Sequence, residues 1–289
     1  MVCDSQRTHS SSIPAPIEQG CASQRQICGV AVWCGSPGHW VATLDDMIAE
    51  KRVRLGYVNT HTAYLLARDP AYREVMQTFT LLNDGVGLDA LSYIKYGRRF
   101  EFNLNGSDFT PLFLCTTRHR FRIFLLGGKP GVAAAAALAL GRIAPQHAYV
   151  GAHRGHLMPE EEPQVVELIR ACGADMVIVA FGNPEQELFI GRHADALGAR
   201  VTIGVGALLD FLAGRVRRAP TWMQRAHLEW VHRLAHEPGR LWKRYLLFTP
   251  LLILEALSER HLGRRWLSSM IAGALVLLGD LELAAASRS

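Results

Sequence analysis

The chain has 289 residues, 49% of them hydrophobic and 20% charged, with a formal net charge of +5 at neutral pH. This is enough for one large domain, or a domain with an appendage, and for a substantial buried core. Six cysteines occur without a CxxC pair or a metal-ligand spacing to histidine. Their pattern is more typical of reduced thiols in a cytoplasmic protein than of a disulfide framework, and it disfavours a zinc site.

Residues 1–26 are rich in Ser, Gln and Pro. They contain no apolar stretch of the length that a signal peptide needs, and they cannot bury enough surface to order themselves. We therefore predict a disordered leader over residues 1–26.

Residues 27–214 alternate short apolar runs with helix-like stretches. The runs are ICGVAVW, RLGYVNT, FTLLN, FRIFLLGG, HAYVGA, ADMVIVAFG and RVTIGVG. They are rich in Val, Ile and Leu without strict alternation, which is typical of strands buried on both faces of a mainly parallel sheet. The alternation of strands with helices predicts an α/β domain with a doubly wound, Rossmann-like sheet.

Residues 215–289 carry the basic character of the chain. Between Arg215 and Arg265 there are eleven Lys or Arg against four acidic residues, so a negatively charged partner is expected here. Helices are predicted over 221–237 and 239–263, separated by Pro238. The apolar run Trp266 to Gly279 is shorter than the roughly 20 residues needed to cross a bilayer, which favours a helix that lies in or docks on a membrane surface.

Asp84 follows an apolar run in TLLNDGVGLDA. On the turn between a strand and a helix it would lie at the carboxyl edge of the sheet, where α/β proteins bind ligands, although a plain helix cap is the alternative. GVGLDA also matches the dinucleotide fingerprint formally. The ribose-binding acid expected about 20 residues later is replaced by EFNLNGSDF, a turn into another helix, so an NAD-dependent oxidoreductase is the weaker alternative.

Further polar residues lie at predicted turns. NGSDF contains Asn105, Ser107 and Asp108, and LLGGKPG contains Gly127 and Gly128; such turns either hold phosphate oxygens on free backbone N–H groups or are plain turns. FGNPEQELFI places three polar side chains near a helix start, where they offer the donors and acceptors needed to bind a sugar or a uracil: Asn183, Gln186 and Glu187.

Arginines recur through the predicted C-terminal helices beside three tryptophans. Arg218, Arg225 and Arg233 are candidates for a lid that brings guanidinium groups to a diphosphate, for which the planar fork of Arg is well suited. A solvated basic face is the alternative. No nucleic-acid-binding motif accompanies the charge, so a nucleic-acid partner is not expected.

Six motifs occur together in order over about residues 27–246: NDGVG, NGSD, LLGGKPGV, GNPEQE, GVGALLDFLAGRVRRAP and LEWVHRLAHEPGRLWKRYL. In this arrangement the chain resembles the WecG/TagA/CpsF family of bacterial glycosyltransferases. The resemblance implies transfer of a sugar, with inversion, from a UDP-sugar to a polyprenyl-diphosphate-linked saccharide during exopolysaccharide or other surface polysaccharide synthesis. It implies neither cofactor nor metal, and a cytoplasmic protein that is peripheral on the inner face of the cell membrane.

The resemblance assigns the catalytic base to Asp84 and substrate binding to Asn59 and Gln186. The matched motifs supply the other substrate-binding candidates: Gly85, Asn105, Ser107, Asp108, Gly127, Gly128, Asn183, Glu187, Gly206, Asp210, Arg218, Arg225 and Arg233. Tyr57, Asn103 and Ala207 depart from the family pattern and leave the donor sugar open.

The sequence contains no D-x-D motif, so arginines and helix N-termini are expected to stabilise the leaving UDP without a metal. A catalytically inactive, membrane-associated nucleotide-sugar-binding subunit is the alternative to an enzyme. The oligomeric state stays open, with a homo-oligomer among the alternatives.

Overall fold

The computed structural model describes residues 23–226 and 228–261. Residues 1–22 of the predicted leader, the apolar run Trp266 to Gly279, Arg264 and Arg265 lie outside the described residues. The side chains of Arg225, Arg240 and Arg260 are likewise outside the description.

The described chain forms one eight-stranded sheet. The strands are β1 (Ser23–Ile27), β2 (Val30–Cys34), β3 (Val53–Val58), β4 (Thr80–Asn83), β5 (Arg122–Gly127), β6 (Ala148–His153), β7 (Met176–Ala180) and β8 (Val201–Gly204). Their order is β1-β2-β4-β3-β8-β7-β5-β6, and every neighbouring pair is parallel except β1 and β2. The prediction of an α/β fold with a mainly parallel sheet is confirmed.

Helices connect and follow the strands. They are α1 (Pro37–Glu50), α2 (Thr60–Arg68), α3 (Pro70–Gln77), α4 (Val86–Tyr96), α5 (Gly106–Thr116), α6 (Val132–Ile143), α7 (Glu162–Ala171), α8 (Glu185–Leu197), α9 (Leu208–Leu212), α10 (Thr221–Arg225), α11 (Glu229–His236), α12 (Pro238–Trp242), a π-helical segment (Lys243–Phe248) and α13 (Thr249–His261). None of these helices, within residues 23–226 and 228–261, is long and apolar enough to cross a membrane.

Two hydrophobic cores lie on opposite faces of the sheet. Helices α2, α3, α4, α7 and α8 cover one face, and α1, α5, α6 and α9 cover the other. Strand β7 shows why its sequence is continuously apolar, since Val177 and Val179 enter the first core whereas Met176 and Ile178 enter the second. A strand buried on both faces has no solvent side on which a polar residue is favoured.

Several sequence-based boundaries are wrong. Residues 23–26, predicted as leader, belong to β1, and the run ICGVAVW is not one strand but a turn between two antiparallel strands, with positive φ at Cys28 (48°) and Gly29 (85°). Helices α2 and α3 fill a segment for which no helix was predicted. The predicted helix 221–237 is broken after Arg225, and the one over 239–263 passes through the π-helical segment.

The C-terminal helices pack on the α/β core. Leu252 of α13 is buried in the first core, and Phe248 stacks on Tyr64 of α2 with ring centroids 4.4 Å apart. Arg68 of α2 pairs with Glu255 of α13. These contacts place the basic segment beside the carboxyl ends of the strands, where it forms one wall of a cleft. Its membrane association stays a prediction.

Candidate active site

A cleft of about 1490 Å³ opens at the carboxyl ends of the central strands. Strands β3 and β8 are neighbours, yet the helix after β3 packs on one face of the sheet and the helix after β8 packs on the other. The chain therefore diverges above these strands and leaves a crevice, which is the usual binding position in open α/β sheets.

The cleft brings most of the predicted site residues together. Its lining includes Asn59, Asp84, Gly85, Asn105, Ser107, Gly128, Asn183, Gln186, Gly206, Asp210, Arg218 and Arg233. Three candidates do not line it: Gly127, Asp108 and Glu187. Arg225 lies in α10, and its side chain is outside the described part of the chain.

Asp84 lies at the end of β4 on the floor of the cleft. Its backbone N–H donates to the Val58 carbonyl (2.8 Å), and Asn59 Nδ2 donates to its Oδ2 (3.3 Å). The cap of α4 is Gly85, with φ at 84° and no side-chain cap hydrogen bond. The helix-cap interpretation of Asp84 is therefore wrong, because its carboxylate faces Asn59 and the cleft instead of the start of α4.

Asn59 has a fixed amide orientation. Its Oδ1 caps α2 by accepting hydrogen bonds from the backbone N–H groups of His61 and Thr62, each at 3.1 Å. Because the cap consumes the acceptor end of the amide, the donor end must face Asp84. A helix cap thus supplies one oriented N–H donor to the candidate base.

The pKa of Asp84 lies above its ordinary value. Burial is the largest cause, and Glu229 adds a like charge; the Asn59 hydrogen bond and the positive charges of Arg244 and Arg233 act in the opposite direction. A carboxylate whose pKa is moved toward neutrality is a better proton acceptor than an exposed one, provided that it stays ionised. The arginines and Asn59 favour that ionised state.

Asp108 forms an ion pair within the chain, although its side chain is 53% exposed. Arg218 makes a bidentate ion pair with its carboxylate, with Nη2 to Oδ2 at 2.7 Å, and Arg218 Nε also donates to Glu229 (3.2 Å). Although partial burial raises it, the pKa of Asp108 is below its ordinary value because Arg218 and Asn105 donate to the carboxylate. The pair joins α5 to the C-terminal segment and holds Arg218, and substrate binding by Asp108 stays a prediction.

Two other candidates have contacts that give them a structural role. Gly127 is needed where β5 approaches β7, since a Cβ there would lie 2.4 Å from the Ala180 carbonyl oxygen and its φ is 152°. Glu187 is fully buried behind the cleft wall, where it accepts hydrogen bonds from Asn183, Gln186 and Tyr72. Neither was distinguishable from a binding residue by its motif, because a motif does not show which way a side chain faces.

Several lining residues were not among the predicted site residues. Asn103 Oδ1 accepts the Gly85 N–H (2.9 Å) and fixes the turn after Asp84. Tyr57 lies buried beside Asp84, with its hydroxyl hydrogen-bonded to Thr110 (2.9 Å). His156 adopts a positive φ of 53° on the loop after β6, a geometry that the sequence does not signal.

The C-terminal wall of the cleft combines aromatic and basic residues. Trp230, Arg233, Arg244 and Phe248 line it, and Thr249 Oγ1 donates to Thr60 at the start of α2 (3.0 Å). Positive charge is thereby held opposite the sheet edge that carries Asp84. Within residues 23–226 and 228–261, no cluster of three or more His, Cys, Asp or Glu has the arrangement of a metal site.

The dinucleotide alternative fails on topology. Its fingerprint requires a β-α-β unit in which the next strand lies beside the first. After β4 the next strand in the chain is β5, and β3, β8 and β7 lie between them in the sheet. GVGLDA is therefore a turn at the end of β4 without a partner strand for a bound ribose.

Comparison with known proteins decides the family. The model of the glycosyl transferase WecG/TagA/CpsF family matches residues 25–265. The chain belongs to this family. It is accordingly a glycosyltransferase, and the resemblance stated from the six motifs is confirmed.

Two relatives are both named N-acetylglucosaminyldiphosphoundecaprenol N-acetyl-beta-D-mannosaminyltransferase. The chain is 33% identical to the Bacillus subtilis protein over 204 residues, which is 70% of this chain and 78% of the relative. It is 32% identical to the Bacillus spizizenii protein over 190 residues, 65% of this chain and 72% of the relative.

Proposed function

We propose that this glycosyltransferase moves an N-acetylhexosamine, with N-acetylmannosamine as the first candidate, from a UDP-sugar to a saccharide linked through diphosphate to a polyprenyl lipid. The names of the two relatives support this donor and acceptor class. The product would enter exopolysaccharide or another surface polysaccharide. The reaction would take place at the inner face of the cell membrane. It would invert the anomeric carbon and use no metal.

The observation that carries the proposal is the setting of Asp84. Its carboxylate is oriented by Asn59 at the floor of the cleft, and Arg233 and Arg244 act on it electrostatically from the facing wall. A hydroxyl of the acceptor gives its proton to Asp84 while its oxygen bonds to the anomeric carbon. The bond from that carbon to the β-phosphate oxygen breaks, and UDP leaves with the electron pair.

The leaving group requires positive charge on the cleft wall that faces Asp84. UDP departs with additional negative charge, which oriented cations and helix N-termini stabilise most effectively in a site that excludes water. The side chains of Arg233, Lys243 and Arg244 line the cleft and provide three such cations. Arg218 also lines it, but its pairing with Asp108 and Glu229 would have to loosen before it could bind a diphosphate.

The deciding experiment incubates the protein with a synthetic lipid-linked N-acetylglucosamine and one donor at a time. UDP-glucose, UDP-N-acetylglucosamine, UDP-N-acetylmannosamine and the corresponding uronic acids form the panel, with Asp84→Asn as the matched control. We expect acceptor-dependent UDP release and a glycosylated product with UDP-N-acetylmannosamine. Binding of donor without UDP release from any of the panel would instead support the inactive binding subunit.

A further inference from the structure

A buried carboxyl group lies directly behind the cleft wall. Glu187 of α8 is 0% exposed, whereas the preceding residue, Gln186, reaches the cleft. Glu187 Oε1 accepts hydrogen bonds from Asn183 Nδ2 (2.7 Å) and Gln186 Nε2 (2.6 Å), and its Oε2 accepts one from the Tyr72 hydroxyl (3.1 Å). All three donors are neutral side chains, so the group is held by hydrogen bonds alone.

The bond to Gln186 determines which way that amide faces. A glutamine side chain has an acceptor end and a donor end. With Nε2 turned to Glu187, Oε1 accepts the backbone N–H of Gly206 (2.9 Å) and that of Gly182 (3.3 Å). Gly182 lies in the loop after β7 and Gly206 in the loop after β8, so a single amide oxygen joins the two loops.

Both loops form the cleft surface. Gly182, Asn183, Gly206 and Ala207 all line it, and both glycines have positive φ, at 86° and 57°. Each loop therefore turns sharply at the residue that Gln186 holds. A rotation of the Gln186 amide would place its NH₂ group against two N–H donors, and both contacts would be lost.

We propose that Glu187 is a positioning residue for the sugar donor: it fixes the amide of Gln186, and Gln186 holds the loops after β7 and β8 in the arrangement that binds the donor. The inference rests on the proposed function, because it takes the cleft to be the nucleotide-sugar site. It replaces the sequence-based role of Glu187 as a direct substrate ligand.

The role does not require a charge on Glu187. In the neutral carboxyl, Oε1 still accepts from both amides, and the proton on Oε2 is donated to the Tyr72 oxygen. Glu187→Gln keeps the same acceptor and the same shape, so it is the conservative variant. Glu187→Leu keeps a similar volume but leaves the amides of Gln186 and Asn183 without their acceptor.

The test is a double-mutant cycle in donor kinetics. UDP release is compared among wild type, Glu187→Gln, Glu187→Leu, Gln186→Leu and the double variant Glu187→Leu/Gln186→Leu. Tyr72→Phe is the control, because it removes the contact to Oε2 and keeps both contacts to Oε1. We expect Glu187→Gln and Tyr72→Phe to stay within about threefold of wild type, and Glu187→Leu to raise the donor KM about tenfold with a smaller effect on kcat.

Because Glu187 acts through Gln186, the double variant should be no worse than Gln186→Leu alone. Effects that multiply, or a Glu187→Gln variant as impaired as Glu187→Leu, would overturn the proposal. If Glu187→Leu does not fold, Glu187→Asp takes its place in the same cycle, because the shorter side chain withdraws the carboxylate by one methylene. A wild-type protein that neither binds UDP nor releases it from any donor would instead contradict the proposed function and, with it, the role of Glu187 in donor binding.

Discussion

The burial of Glu187 predicts a loss of stability with rising pH that a single substitution removes. Burial raises the pKa of Glu187 from 4.5 to about 7 in the folded protein. Below pH 4.5 both the folded and the unfolded chain carry the proton, so the free energy of unfolding is unaffected. Between pH 4.5 and 7 the unfolded chain releases it and the folded chain retains it, and stability falls as the pH rises.

The expected loss of unfolding free energy follows from the size of the pKa shift of Glu187. One pKa unit corresponds to about 1.4 kcal/mol, so the wild-type protein should lose about 3 kcal/mol of unfolding free energy across this window, and no more above it. This is a large share of the roughly 5–15 kcal/mol by which proteins are stable. Glu187→Gln has no proton to release and should lack this contribution.

Urea unfolding of wild type and Glu187→Gln at half-unit steps from pH 4.5 to 8 measures the difference directly. Every other titrating group is common to both proteins and cancels in the subtraction. Tyr72→Phe retains the carboxyl but removes a hydrogen bond that lowers the pKa of Glu187, so its stability should fall in the same way and continue to fall above pH 7. The unfolding free energy of wild type minus that of Glu187→Gln should fall as the pH rises. If this difference is constant within about 0.5 kcal/mol, or rises with pH, Glu187 does not hold its proton in the folded protein.

Four further outcomes are expected. Asp84→Asn should lower kcat at least a hundredfold with UDP affinity little changed, and more than a tenth of wild-type turnover would remove Asp84 as the base. Arg244→Gln removes a charge that lowers the pKa of Asp84, so the acid limb of the kcat/KM profile should move to higher pH, and an unmoved limb would contradict this. Transfer should survive EDTA with less than about a twofold loss, whereas strict dependence on added Mg²⁺ or Mn²⁺ would show a metal–diphosphate complex. Gly106→Ala places a methyl 2.8 Å from the Tyr57 ring and should cost about 1–3 kcal/mol in urea unfolding, and an unchanged unfolding free energy would contradict this.

The parallel sheet was predictable because strands buried on both faces are continuously apolar in sequence. β7 is the clearest case, with five apolar residues that all face a core. Once the strands are parallel, their carboxyl ends must meet at one edge, which brings Asn59, Asp84 and Gln186 together without any knowledge of side-chain contacts. The position of the candidate base was therefore accessible from sequence.

Strand β1 was not predictable from composition. Its sequence SQRQI is polar, and only Ile27 is buried, because β1 is an edge strand held mainly by backbone pairing with β2. Helices α2 and α3 were missed for a different reason: they are short and start at the side-chain caps Asn59 and Asp69. In the sequence, these two caps are indistinguishable from loop residues.

Partners of charged side chains were the least accessible part of the site. Asp108 and Arg218 are distant in sequence, and nothing in either motif indicates that each neutralises the other. Gln186 and Glu187 are adjacent on α8, yet one lines the cleft and the other is fully buried. A helix turns by 100° per residue, so the orientation of the helix, which tertiary packing sets, decides which of two neighbours meets the substrate.

In the proposed reaction the C-terminal helices take part in the chemistry, because their positive charges would act first on the base and then on the leaving group. Arg233 and Arg244 lower the pKa of Asp84 and so favour the ionised carboxylate before reaction. When Asp84 takes the proton of the acceptor it becomes neutral, while the departing UDP gains negative charge. The total charge facing the arginines is then unchanged, and their attraction passes from the carboxylate to the diphosphate. In the proposed reaction these cations would therefore keep their attraction as the negative charge moves from Asp84 to the diphosphate, which requires that the helices be packed on α2 as Phe248 and Thr249 hold them.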